Sequence, residues 1–74
     1  MKLPSKHEVT ALRNAYPRGT RVVLIEMDDV QAPPVGTKGT VRYVDDAANI
    51  GVEWDNGSTL NVIYGVDRIM KMEG

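Results

Sequence analysis

The sequence predicts a mainly β domain: a small closed or nearly closed barrel of five short strands, preceded by one N-terminal α-helix. Three observations carry this. Apolar residues before Pro17 follow a helical stripe, with Val9, Leu12 and Tyr16 at i, i+3 and i+7. After Gly19 the pattern changes to β-branched runs and alternation, best seen where Ile50, Val52 and Trp54 interleave with Gly51 and Glu53. Turn-forming clusters such as Ala32-Pro33-Pro34, Asp45-Asp46 and Asp55-Asn56-Gly57 separate these runs. The chain divides into 1–17, a helix packed on the barrel, and 18–74, the barrel itself.

The helix begins with Ser5-Lys6-His7-Glu8, the form of a capping box in which Ser5 caps and Glu8 reaches back. It ends at Asn14 or Ala15, because the residue before Pro17 is pushed out of the α region. Three turns are too short to persist alone in water, so Leu12 and its stripe must dock on the barrel. Five strands are expected over Arg21–Met27, Lys38–Val44, Ile50–Trp54, Thr59–Ile63 and Ile69–Met72. Asn56-Gly57 joins the third and fourth as a tight hairpin, both residues tolerating positive φ. Closure into a barrel limits exposed strand edges. No internal repeat, low-complexity tract or second domain is expected.

Composition excludes several functions. At 74 residues the chain holds one domain, and 42% hydrophobic with 26% charged residues rules out wholesale disorder. No Cys and one His leave no thiol nucleophile and no cluster of imidazole ligands. No apolar run approaches the roughly 20 residues of a membrane span, nor is there a signal-peptide core, so a cytoplasmic setting without membrane contact is expected.

The acid pairs Asp28-Asp29 and Asp45-Asp46 do not match a calcium loop and are read as turn residues. Gly36-Thr37-Lys38-Gly39 has the GxxG spelling of a KH loop but leads into a strand, so it is a turn as well. His7 lies in the helix's first turn away from the apolar stripe and is exposed. Trp54 shares a face with Ile50 and Val52, and in a chain without Phe it belongs to the core. No cofactor, metal or catalytic residue is expected, and the protein is read as non-catalytic.

Charge is split along the chain. Five bases (Lys2, Lys6, Arg13, Arg18, Arg21) face one acid up to residue 21, whereas four bases face nine acids afterwards. One reading makes the N-terminal segment a phosphate-touching arm; the other has a basic helix docked on its own acidic body. The first strand is followed by a long loop, three hairpin-joined strands come next, and Tyr64-Gly65-Val66-Asp67 leads to the last strand. This order resembles an SH3-like barrel.

Two family resemblances follow. Tyr16-Pro17-x-Gly19-Thr20-Arg21-Val22, Met27-Asp28-Asp29, Gly39-Thr40-Val41 and Trp54-Asp55-Asn56-Gly57-Ser58 resemble a family of small bacterial and phage domains without assigned function, over about residues 16 to 72. Gly39-Thr40-Val41, the hairpin Val52-Glu53-Trp54-Asp55-Asn56-Gly57 and Tyr64 beside Gly65 are similar to the barrel of Mind-bomb-type domains in eukaryotic ubiquitin ligases. That similarity implies recognition of a protein or peptide. The last element differs, with no basic residue between Tyr64 and Gly65.

The function expected is therefore an interaction module, monomeric or weakly dimeric, whose partner is a protein or peptide. Its contact residues would be Asp28, Asp29, Pro33 and Pro34 of the long loop, with Tyr43 or Tyr64. Val44 and Ile63 compete with those two tyrosines for the inward positions, and a shift of one residue exchanges them. The alternative is nucleic-acid binding through Lys2, Lys6, Arg13, Arg18 and Arg21.

Overall fold

A computed structural model describes residues 4–72. Helix α1 spans Lys6–Ala15, and strands β1 to β5 span Arg21–Glu26, Lys38–Val44, Asn49–Trp54, Val62–Ile63 and Arg68–Lys71. The capping box is formed: the Ser5 hydroxyl accepts the Glu8 N–H at 3.1 Å and Glu8 accepts the Ser5 N–H at 3.3 Å. Val9 and Leu12 are buried in the same cluster as Val22, Leu24, Ile50 and Trp54, and Tyr16 packs against it. The helix docks.

The strands form one antiparallel sheet in the order β4-β3-β2-β1-β5. The expected closure into a barrel is not made, since β4 and β5 stand at opposite ends of that order. The reason lies in residues 59–61, which leave β3 so that only Val62–Ile63 returns to pair with Asn49 and Ile50. Two residues are too few to carry a further ladder, and the sheet stays open. Both edges are short, which limits edge-to-edge association.

Sidedness follows from a bulge. Val41 pairs Val52, Val44 pairs Ile50, and all four are buried, although strict alternation would turn Val44 outward. The register shifts between Val41 and Tyr43, so Arg42 and Tyr43 both face solvent and Val44 returns to the core. In β4 the inward position belongs to Val62, leaving Ile63 and Tyr64 both exposed. Of the rivals for the inward positions, Val44 is buried in place of Tyr43, whereas neither Ile63 nor Tyr64 is buried. Trp54 is 1% exposed and its indole N–H donates to the Leu60 carbonyl at 2.9 Å, which makes it structural.

Against expectation, the chain contains a short repeat: Pro17-Arg18-Gly19-Thr20 and Pro34-Val35-Gly36-Thr37. In each the Thr N–H and hydroxyl both donate to the Pro carbonyl, at 3.0 and 2.6 Å. The glycines have φ of 95° and 92°, as the third position of a type II turn requires. The Gly19 N–H donates to Val41 and the Gly36 N–H to Leu24, each at 2.8 Å. Each turn thus clamps the strand that the other one starts. The two are related by an approximate two-fold through the Val22–Gly39 pair, so one piece of turn chemistry fixes both ends of the β1–β2 ladder.

A candidate peptide groove and the acidic face

An open groove of about 810 Å³ runs between the loop after β1 and the segment entering β4. Met27, Asp28, Asp29 and Gln31 line one side, and Thr59, Leu60, Asn61 and Ile63 the other. Tyr43 lies in it, and Asn49, Ser58, Val66 and Asp67 complete its lining among the described residues. The β2 bulge is what turns Tyr43 to this face. Its ring rests on Gly51, where a Cβ would lie only 2.3 Å from two ring carbons, so the close approach requires glycine. The Tyr43 hydroxyl donates to Asn61 Oδ1 at 3.3 Å.

The acids of the groove also shape its backbone. Asp29 Oδ1 accepts the Gln31 N–H at 2.8 Å, an Asx turn that folds the loop back. Asp67 Oδ2 accepts the Ile63 N–H at 2.8 Å and so ties the β4–β5 connection to β4. Among the described residues no Lys, Arg or His lines the groove.

The structure brings together three of the six residues expected at a contact surface: Asp28, Asp29 and Tyr43. Tyr64 is exposed but belongs to a different, smaller cavity with Tyr16, Arg68 and Ile69. Pro33 is buried in the loop and does not line the groove. Pro34 is exposed outside the groove, its carbonyl occupied by Thr37. Sequence reasoning missed Asn61, Val66 and the groove role of Ile63. The only signal for them was their nearness to the Tyr64–Asp67 connection, since a side chain facing out of a two-residue strand leaves no periodic trace.

The described members of the basic set are not assembled into one patch, although Lys6 and Arg13 line one cavity with Asp46. Arg13 donates through Nε to the Val44 carbonyl at 3.0 Å and pairs with Asp46 at 2.8 Å. Arg21 forms a two-pronged pair with Asp55 at 2.8 and 2.6 Å and also holds the Thr40 hydroxyl at 2.9 Å. These partners flank opposite ends of β3, a six-residue strand about 20 Å long. Lys6 and Arg18 are exposed without an ion pair among the described residues, and Lys2 lies outside the described residues. The basic helix is docked on its own acidic body.

Electrostatic shifts fall outside the groove. The Asp55 carboxyl is held below its ordinary range by the hydrogen bonds from Arg21, against partial burial, with the charges of Arg21 and Lys38 adding to the effect. Arg21 is raised in return by the bond to Asp55. At Asp45 burial acts upward, but hydrogen bonds from Asn49 and Ala47 and the charge of Arg13 together lower it.

A helix on an open five-stranded antiparallel sheet, with an aromatic and acidic groove on one side, defines a small mainly β domain. The chain belongs to the family described as a domain of unknown function, DUF4314, whose profile matches residues 5–72. No curated protein and no solved structure matches it.

Proposed function

We propose that this domain is a non-catalytic interaction module that binds a protein segment or peptide in the groove beside Tyr43. The observation that carries this reading is that three exposed apolar side chains share one groove. Tyr43, Ile63 and Val66, at 49%, 48% and 67% exposure, line it, whereas Val30, Val35, Tyr64 and Met70 are exposed outside it. Apolar and aromatic side chains grouped with a few polar groups are what a recognition surface offers. Asn49, Asn61 and Gln31 supply donors and acceptors for a peptide backbone. The strand order, with β5 beside β1, supports relating the fold to SH3-like barrels with an unclosed seam. A bacterial or phage cytoplasmic setting rests on the motif resemblance alone. Nucleic-acid binding has less support, because two of its cations are engaged with Asp46 and Asp55 and nine acids follow Arg21.

The test is a selection of random twelve-residue peptides on the full chain, followed by amide chemical-shift mapping with the selected peptides. Shifts confined to Tyr43, Asn61, Ile63 and the Asp28–Asp29 loop are expected, and Tyr43→Ala should abolish selection while preserving the spectrum of the core. Shifts centred on Lys6 and Arg18, or micromolar binding of mixed-sequence DNA at physiological salt, would replace this reading.

A further inference from the structure

We infer that the peptide this groove takes presents a lysine or arginine side chain, laid against Tyr43 with its charged end toward Asp28 and Asp29. The inference rests on the groove being a peptide site and names what that site selects. The groove defines the place, and the charge pattern in it defines the occupant.

On the strands and hairpin loops, Asp46, Glu53 and Asp55 each hold an arginine: Arg13, Arg42 and Arg21, at 2.8, 2.6 and 2.6 Å. The groove differs. Asp28, Asp29 and Asp67 line it, and among the described residues no basic one does. Three carboxylates thus share one groove of mixed polar and apolar lining with no ion pair among the described residues. Arg68 borders the adjoining cavity that Asp28 also lines. A cation arriving from outside meets complementary potential there, and an anionic ligand meets repulsion.

The shape of the channel favours a basic side chain over a bare ion. Among the described residues no three His, Asp or Glu side chains are grouped as a metal ion would need. A lysine or arginine suits a surface of mixed character, because its methylene stem covers apolar side chains while its end reaches polar ones. Ile63 and Val66 provide apolar area for the stem. Tyr43 offers a ring whose orientation is set on one side by Gly51 and at its hydroxyl by Asn61. A ring fixed in this way presents its face to a cation without losing rotamer freedom on binding.

The experiment uses the peptides from the selection above, each also synthesised with every Lys and Arg replaced by Gln. Affinities for the full chain are measured by fluorescence anisotropy at 50 and 300 mM salt, on the parent and on the double variant Asp28→Asn, Asp29→Asn. Asparagine keeps the oxygen that accepts the Gln31 N–H, so the loop turn is retained. A basic residue common to the selected peptides is expected, with a loss of at least about tenfold on changing it to Gln and a similar loss in the double variant. Higher salt should weaken parent binding and leave the double variant nearly unaffected. Groove-binding peptides without Lys or Arg, or unchanged affinity in the double variant, would overturn the inference and leave the groove reading standing. Failure to select any groove-binding peptide would overturn both.

Discussion

The two hairpin loops at either end of β3 share one hydrogen-bond frame and differ in the residue at its strained position. In the first, the Asp45 N–H reaches the Asn49 carbonyl and the Ala48 N–H returns to the Asp45 carbonyl, each at 3.0 Å. In the second, the Trp54 N–H reaches Ser58 and the Gly57 N–H returns to Trp54, each at 2.9 Å. Both are three-residue loops whose last member adopts positive φ, a bulge that restores the sheet's twist. That member is Ala48 at 63° in one and Gly57 at 93° in the other. Glycine is the ordinary solution where the loop is open, and nothing lies within 4 Å of a Cβ built on Gly57. Ala48 is 4% exposed and its methyl is part of the core cluster. Its loop is also organised by one carboxylate: Asp45 Oδ1 takes the N–H groups of Ala47 and Asn49 at 3.0 and 2.8 Å, and Oδ2 takes the Asn49 amide at 3.1 Å. In the second loop Asn56 accepts a single bond, from the Ser58 N–H at 3.0 Å. A left-handed alanine persists where burial and a neighbouring carboxylate both hold it.

The largest expected effect comes from removing that carboxylate. Asp45→Ala deletes the acceptor for three hydrogen bonds in a partly buried loop and should cost about 1–3 kcal/mol in urea unfolding. Asn56→Ala, which loses one exposed bond, should cost well under half as much. Equal losses at the two sites would show that Asp45 has no special hold on its loop. Next comes Gly57→Val, which puts a β-branched side chain at positive φ and should cost about 1–2 kcal/mol. A thermal midpoint equal to the parent's would mean that the loop readily adopts another turn.

These loops also mark where the sequence could be read and where it could not. Turn residues and alternation were enough to place the helix and all five strands, because capping, proline and period two act locally. Asn56-Gly57 promised a two-residue turn with both residues at positive φ, yet only Gly57 is left-handed, since Asp55 joins them in a three-residue loop. The spelling Asp45-Asp46-Ala47-Ala48 contains no glycine, and its matching loop was invisible because tertiary burial supports the strain. The same limit governs the groove. Asp28, Asp29 and Tyr43 were nominated from residue type alone, whereas the outward turn of Tyr43 depends on a bulge that no residue type marks. Closure failed for a related reason: residues 59–61 form no ladder with β3, and residue type does not mark where that pairing stops.

Acid should test both loops at once, because each contains a carboxylate held below its ordinary range: Asp45 by Asn49, Ala47 and Arg13 against the effect of burial, Asp55 chiefly by Arg21. The folded state keeps these groups ionised where the unfolded chain binds protons. Their contribution is complete above about pH 4, the ordinary carboxylate value, and is lost as pH falls through their depressed values. Urea midpoints should therefore decline below pH 4 more steeply in the parent than in Asp45→Asn or Asp55→Asn. Asp45→Asn should flatten the decline further if the first loop is the more tightly held. The opposite order would make the exposed pair with Arg21 the dominant acid-sensitive contact.

The smallest expected effect is the sharpest check on the comparison. Ala48→Gly relieves a left-handed alanine, a gain of about 1 kcal/mol by the usual preference of L-residues. It also removes one buried methyl, a loss of about 0.8 kcal/mol, and gives the unfolded chain more freedom, a further loss of about 0.4–1 kcal/mol. The terms nearly cancel, so the variant should lie within about 1 kcal/mol of the parent, on the destabilised side. The reciprocal change Gly57→Ala has no burial to gain, since its Cβ would meet open space. Strain of about 1–2 kcal/mol is offset in part by about 0.4–1 kcal/mol from the stiffer unfolded chain, so a net cost of up to about 1.5 kcal/mol is expected. Chemical denaturation of the two single variants and the double would show whether the loops act independently. Additive costs are expected, because β3 separates the loops by about 20 Å and they share no side-chain partner. A clear gain in stability from Ala48→Gly would show that burial of its methyl contributes little, and that the first loop carries unrelieved strain.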